Sequence, residues 1–315
     1  MKNIKLIEVP SELGAGTRGA SLGVEAIKIA ALDYMSNFFV HFPSEKVKTE
    51  NQLLFEPIHS PYAKRLHGVV TMYERISKAV EDTIKNNFFP VVLSGDHSNA
   101  GGTIAGIKNA KPNSRLGVIW IDAHADLHTP YTTPSGNIHG MPLSVSIGED
   151  NLESKVHDLD EVTKKQWNQL KMMGKMNPKV SPSDVVLIGL RDFEKEEKFL
   201  IDKHGMKVIT TSELRRKGAE SVVRSALRYL NECTDIYVSF DVDCLDSSIS
   251  RGTGTPVSNG LREREAEDLV SKFMQNRKIC CFEITEVNPT LDKENLMAEI
   301  AFNILQRSVN VLMMN

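Results

Sequence analysis

The sequence predicts an α/β protein in which a mostly parallel sheet is covered by helices on both faces. Three observations carry that prediction. Short apolar runs rich in Val and Ile alternate with longer stretches whose apolar residues recur at three- and four-residue spacing. The short runs are apolar throughout, as strands buried on both faces must be. Three of them end in clusters of Asp and His, the residues expected where carboxyl ends of parallel strands open onto a ligand crevice.

From the N-terminus, Ile4–Val9 is the first strand and Pro10 follows it directly. Gly14, Gly16 and Gly19 then spell G-x-G-x-x-G ahead of the helical stretch Ser21–Leu32, a pattern that taken literally marks a dinucleotide site. The glycines begin five residues after the strand, Pro10 intervenes, and no clear second strand delivers an acid for a ribose, so a dinucleotide is not expected. His41–Leu66 is polar, holds three prolines and lacks a clean period, which makes it a surface excursion. Six further buried strands follow at Pro90–Leu93, Leu116–Ile121, Val185–Leu190, Lys207–Thr210, Ile236–Phe240 and Ile279–Ile284. Seven strands is therefore a minimum. Crossover helices are predicted over Val69–Asn86, Lys195–His204, Ser212–Leu230, Arg262–Gln275 and Lys293–Val309, each with charges opposite its apolar stripe. No repeat or low-complexity tract divides the chain, and one domain over residues 1–315 is expected.

Composition narrows the functional classes. With 315 residues, 41% hydrophobic and 25% charged, the chain can bury a sizeable core without disulfides or a structural metal. Lys+Arg at 38 against Asp+Glu at 41 leaves no basic field for a nucleic-acid backbone. The opening MKNIKLIEVP is too short for a signal-peptide core and no stretch approaches a membrane span, so no membrane partner and a cytoplasmic location are expected. The four cysteines include an adjacent pair and no C-x-x-C, which suits buried thiols in a reducing compartment.

The chemistry lies at three strand ends. Pro90–Leu93 runs into Ser94-Gly95-Asp96-His97, Leu116–Ile121 into Asp122-Ala123-His124-Ala125-Asp126, and Ile236–Phe240 into Asp241-Val242-Asp243. In an extended segment, residues at i, i+2 and i+4 share one side, which groups Asp122, His124 and Asp126, and likewise Asp241 with Asp243. With His97 that makes six donors, more than one small cation usually takes from protein and enough for two cations bridged by shared carboxylates. Four hard carboxylates and two imidazoles, with no thiolate required, fit Mn2+ best, and two divalent ions acidify water to a hydroxide nucleophile near neutral pH. Cys244 would face away from the ligands.

These motifs, S-G-D-H-S at Ser94–Ser98, D-A-H-A-D at Asp122–Asp126 and S-F-D-V-D at Ser239–Asp243, resemble those of the arginase family, the binuclear manganese ureohydrolases. The resemblance runs from about Ile4 to Val309. It implies a three-layer α/β/α fold around an eight-stranded parallel sheet, two Mn2+ per chain, and a homo-oligomer, trimer or hexamer. T-P-S-G-N-I-H-G at Thr133–Gly140, I-G-L-R-D at Ile188–Asp192, G-T-G-T-P at Gly252–Pro256 and E-V-N-P at Glu286–Pro289 look like arginases rather than agmatinases. The implied reaction is hydrolysis of L-arginine to L-ornithine and urea by a metal-bridged hydroxide. By that resemblance His97, Asp122, His124, Asp126, Asp241 and Asp243 hold the ions, with Asp126 counted also among the catalytic groups. His139 acts as proton shuttle or general acid, and Glu286 receives the guanidinium. Ser135 and Asn137 resemble the α-carboxylate binders, Asp192 and Glu194 lie near the α-amino group, and Thr255 helps position the guanidinium side.

Four positions depart from the family pattern: Glu194 stands where arginases usually have Asp, His128 where they usually have Asn, Ser247 for a proline and Ser94 for a glycine. None is a predicted metal ligand, so they bear on substrate preference. The alternatives are an agmatinase or other guanidino-acid ureohydrolase, which shares the metal core, and a non-catalytic arginine-binding protein on the same scaffold.

Overall fold

The computed structural model describes residues 2–314. Its strands are β1 (Ile4–Val9), β2 (Ser44–Lys46), β3 (Phe89–Ser94), β4 (Leu116–Ile121), β5 (Val185–Ile188), β6 (Lys207–Ile209), β7 (Asp235–Asp241) and β8 (Ile279–Thr285). All eight run parallel in the order β2-β1-β3-β8-β7-β4-β5-β6. The sheet is thus wholly parallel, and β3, β8, β7 and β4 lie side by side at its centre. Those four are buried at every position except Asp235 at the start of β7, which is why they read as unbroken apolar runs.

Helices fill two outer layers. On one face α1 (Gly23–Asp33), α2 (Phe38–His41), α8 (Thr211–Lys217), α9 (Ala219–Tyr229), α10 (Glu263–Met274) and α11 (Leu296–Met314) pack onto side chains such as Leu6, Val91, Ile119, Val238 and Phe282. On the other, α3 (Leu66–Lys85), α4 (Ala100–Ala110), α5 (Pro142–Ile147), α6 (Glu161–Met172) and α7 (Lys195–His204) cover Ile7, Val92, Val118, Trp120 and Tyr237. The alternation of Leu6 with Ile7, and of Val91 with Val92, between the two cores follows from the strand's two-residue period.

The structure corrects several elements. The surface excursion contains the eighth strand, β2, whose Ser-Glu-Lys is exposed at every position and pairs with β1 at Leu6↔Ser44. A short charged edge strand carries no hydrophobic signal. The helix predicted over Ser212–Leu230 is two helices, because Gly218 at φ 78° and ψ 155° breaks the chain after the basic last turn Arg215-Arg216-Lys217. α4 was not predicted: it is buried nearly all round, so it has no polar face and no period. Its glycines let α3 come close, since a Cβ at Gly106 would stand 2.6 Å from the Ser77 carbonyl oxygen. α5 and α6 also fall outside the predicted helices.

Candidate functional site

The four central strands deliver their C-terminal ends to one cleft. β3 leads to Asp96 and His97, β4 to Asp122, His124 and Asp126, β7 to Asp241 and Asp243, and β8 to Glu286. The cleft has a volume of about 290 Å³, and every predicted site residue lines it except Asp122, which lies buried beneath. The predicted convergence is therefore present, but the local reason differs from the expected one. β4 ends at Ile121 and the chain bends before Asp126, which sits at φ 51°. Asp243 lies in a 3-10 turn, Val242–Cys244, and its N–H donates to Asp241 Oδ1 at 2.7 Å. Tight turns, rather than the pleat of an extended segment, bring these carboxylates together. Cys244 points into the core.

His97 is the hub of the first donor group. Its Nδ1 lies 3.0 Å from Asp122 Oδ2, 3.0 Å from Asp126 Oδ2 and 3.2 Å from Asp241 Oδ2. Its Nε2 meets Ser239 Oγ at 2.7 Å, and its ring stacks on Trp120 with centroids 4.0 Å apart. In the second group, His124 Nδ1 lies 2.9 Å from Asp243 Oδ2 and 3.5 Å from Asp122 Oδ1. The two groups share Asp122, and the ligand atoms of His97, Asp122 and Asp126, like those of Asp122, His124 and Asp243, all lie within 4.8 Å of one another. His97 Nδ1 and Asp122 Oδ2 are buried with no hydrogen-bond partner in the protein. Orphaned atoms of these types, aimed at one another at such spacing, fit a cation better than any proton arrangement. The residues therefore suit metal ions, and a shared carboxylate between two groups suits a pair.

The electrostatics agree. Burial first, and neighbouring carboxylates second, push Asp126 and Asp241 up and lift Asp243 to about 6. Burial works against protonation of His97 and His124, yet the surrounding carboxylates outweigh it and raise both. Such a cluster is one whose charges a divalent cation would compensate.

Above the donors stands a second pair. His139 Nδ1 meets Glu286 Oε1 at 3.0 Å, and the His97 backbone N–H donates to the same oxygen at 2.9 Å. Glu286 takes φ 67°, its N–H donating to the Gly95 carbonyl at 2.8 Å. Burial opposes protonation of His139, but its hydrogen bond and attraction to Glu286 prevail and hold it at about 9. Thr255 Oγ1 donates to Asp243 Oδ2 at 3.0 Å, and Lys64 Nζ donates to Asn137 Oδ1 at 3.0 Å. Ser135 is exposed at the rim, its Oγ accepting from the Asn137 N–H at 3.2 Å. Asp192 is solvent-exposed, 3.7 Å from His124 Nε2.

The departures from the family pattern find partners. His128 Nε2 meets Glu194 Oε2 at 2.9 Å, with Glu197 Oε2 at 3.6 Å. The Ser94 hydroxyl donates to the buried Glu283 at 2.5 Å. Ser247 lies against Ser258, 3.3 Å between hydroxyl oxygens. Thr133 and Glu197 line the cleft and were not predicted. Glu197 had a signal, because Glu194 and Glu197 are spaced as a capping box and the structure forms one at the start of α7. The G-x-G-x-x-G stretch packs behind the site: Gly14 N–H donates to Asp96 Oδ2 at 2.9 Å, and a Cβ at Gly16 would fall 2.6 Å from Asn137 Nδ2. Close approach, not phosphate binding, accounts for those glycines.

Fold and site together define a parallel α/β protein with a carboxylate–imidazole metal crevice at the carboxyl edge of its sheet. The Arginase family profile matches residues 2–309, and the chain belongs to that family. It is 37% identical to the arginase of Brevibacillus brevis over 96% of each chain. Among solved structures it is similar to the arginase of Bacillus caldovelox, at TM-score 0.82 and 36% identity over 98% of each chain. The arginase of Entamoeba histolytica in complex with L-ornithine superposes at TM-score 0.83 with 25% identity, over 98% of this chain and 99% of that one.

Proposed function

We propose that the chain hydrolyses L-arginine to L-ornithine and urea, with two Mn2+ per chain, as a single catalytic domain that assembles into a trimer or hexamer in the cytoplasm. One observation carries the reading: the His139–Glu286 pair stands over two donor groups that share Asp122 within one cleft. His97, Asp122, Asp126 and Asp241 would hold one ion, and Asp122, His124 and Asp243 the other. Bound there, the ions supply Lewis acidity and a water acidified enough to serve as nucleophile near neutral pH.

The chain's own groups do the rest. Glu286, its Oε1 fixed by His97 and His139, accepts from the planar guanidinium and orients its carbon. His139, raised to about 9, holds a proton at neutral pH that it can pass to the departing amine. Lys64 turns Asn137 so that its amide N–H, with the Ser135 hydroxyl, is free for an α-carboxylate. Every predicted ligand and the shuttle are present, which disfavours a non-catalytic binder. All four cysteines are buried and unpaired, in keeping with a reducing compartment. Among the described residues no helix is long and apolar enough to cross a membrane.

Urea release from Mn-loaded protein tests the reading. L-Arginine should turn over about a hundredfold more efficiently than agmatine, which lacks the carboxylate and leaves its donors unpaired at roughly 1–3 kcal/mol each. Asn137→Ala should hurt arginine more than agmatine. A preference for agmatine, or equal loss on both, would refute the carboxylate assignment.

A further inference from the structure

Besides the donor groups, the cleft holds a third cluster: His128, Glu194 and Glu197. Its two carboxylates are already engaged within the protein. Glu197 is buried, with Oε1 accepting from the Leu127 N–H at 3.0 Å and Oε2 from the Glu194 N–H at 3.1 Å. Glu194 folds back onto the first turn of α7, where its side chain accepts from the Glu197 N–H, and it also meets His128 Nε2 at 2.9 Å. His128 itself is buried, anchored by Thr132 Oγ1 at 3.3 Å from Nδ1 and by its N–H to the Gly140 carbonyl at 3.0 Å. His128 Nε2 thus stands between Glu194 and Glu197, 2.9 and 3.6 Å from their Oε2 atoms, and covers the side of Glu194 that the resemblance gives to an α-amino group. The remaining acid, Asp192, has a side chain 65% exposed and leans toward His124, so solvent screens what it could contribute. The cleft wall offers an anion more: Asn137 and Ser135 have free donors, and Lys64 stands behind Asn137.

We propose that this cleft takes ω-guanidino carboxylates whether or not they carry an α-amino group, because His128 already fills the place of that group between Glu194 and Glu197. The inference rests on the guanidino-hydrolase reading above and extends its substrate class. The step is the same: water adds to the guanidino carbon, the bond from that carbon to the chain nitrogen breaks, the nitrogen takes the proton and leaves as an amine, and the oxygen remains in urea. Were the two carboxylates open, a substrate without an ammonium would leave their oxygens without a donor and lose a hundredfold or more. With His128 in place that loss is absent.

The probe is 5-guanidinopentanoate, which is arginine without its α-amino group, assayed beside L-arginine on the Mn-loaded enzyme. The kcat/KM ratio of arginine to the probe should lie within about tenfold for the wild type. His128→Asn, which withdraws the imidazole and frees Glu194, should raise that ratio at least about tenfold. A wild-type ratio above about a hundredfold overturns the proposal even if the variant fails to fold, and so does a ratio unchanged in a folded His128→Asn. Turnover of arginine alone defeats this inference only, whereas no urea from either compound defeats the hydrolase reading beneath it.

Discussion

His139 and Glu286 depend on each other for both charge and position. Burial alone would strip the imidazole of its proton, and the 3.0 Å contact to Glu286 restores it. Glu286 in turn is held at a positive φ that a glutamate rarely adopts, a cost of order 1–3 kcal/mol sustained by its bonds to Gly95, His97 and His139. Asp126 is likewise at positive φ. These are two of ten described non-glycine residues at positive φ, and a functional site is one place where such strain is expected. Since proton transfer acts on the transition state, His139→Asn should lower kcat by ~100–10,000-fold while KM changes little. Turnover within about threefold of wild type would remove His139 from that role.

Among the elements, the end of α6 shows how a polar side chain from the segment after it serves packing. Lys179 is 3% exposed and donates to the carbonyls of Lys171 at 2.7 Å, Val145 at 3.2 Å and Leu170 at 3.4 Å. These are carbonyls of α5 and the last turn of α6, two of them left without helix partners. Burial, with a smaller push from Lys171, lowers the Lys179 ammonium from 10.5 to about 7. The unfolded chain therefore binds the extra proton between those values, and this group makes stability rise with pH from about 7 to about 10.5 and stay flat below. Lys179→Met should lose roughly 1–3 kcal/mol for the abandoned carbonyls and also lose that slope. Denaturant unfolding at several pH values checks it: the gap between wild type and variant should widen toward alkaline pH, and a constant gap would contradict the assignment.

Over the whole molecule, the metal-donor groups tie together β3, β4 and β7, three strands separated widely in sequence. Four buried carboxylates at one point repel each other, so a bound cation should stabilise the native state against the unfolded one. At about 100 Kd of free Mn2+ the gain is ~2.7 kcal/mol. Chelation should lower the Tm by several degrees and Mn2+ should restore it, with metal analysis giving two ions per chain in the loaded protein. One ion per chain, or a Tm indifferent to chelation, would count against the paired site. The outer face near α1 and α2 exposes Leu32, Met35 and Val40. If these are covered by other copies, light scattering should report a mass well above 35.1 kDa, and a species of that mass alone would refute the oligomer.

How much of this was legible in advance depended on how local each signal was. Asp122, His124, Asp126, Asp241 and Asp243 could be grouped from spacing, and His97 joined them because carboxyl ends of parallel strands share one edge. The central strands were legible because burial on both faces demands unbroken apolar residues. The polar strand β2 was not, since an edge strand of Ser-Glu-Lys needs only a neighbour's backbone. Nor was α4, whose burial on all sides erases the period that marks a helix. The contacts of Lys64 with Asn137 and of His128 with Glu194 join residues 73 and 66 positions apart. So the sequence by itself determined which donor types stand at which strand ends, because those follow from composition and the periods of single segments. Only the tertiary structure decided which carboxylates remain open to a ligand, because a side chain's partner is set by packing between distant segments.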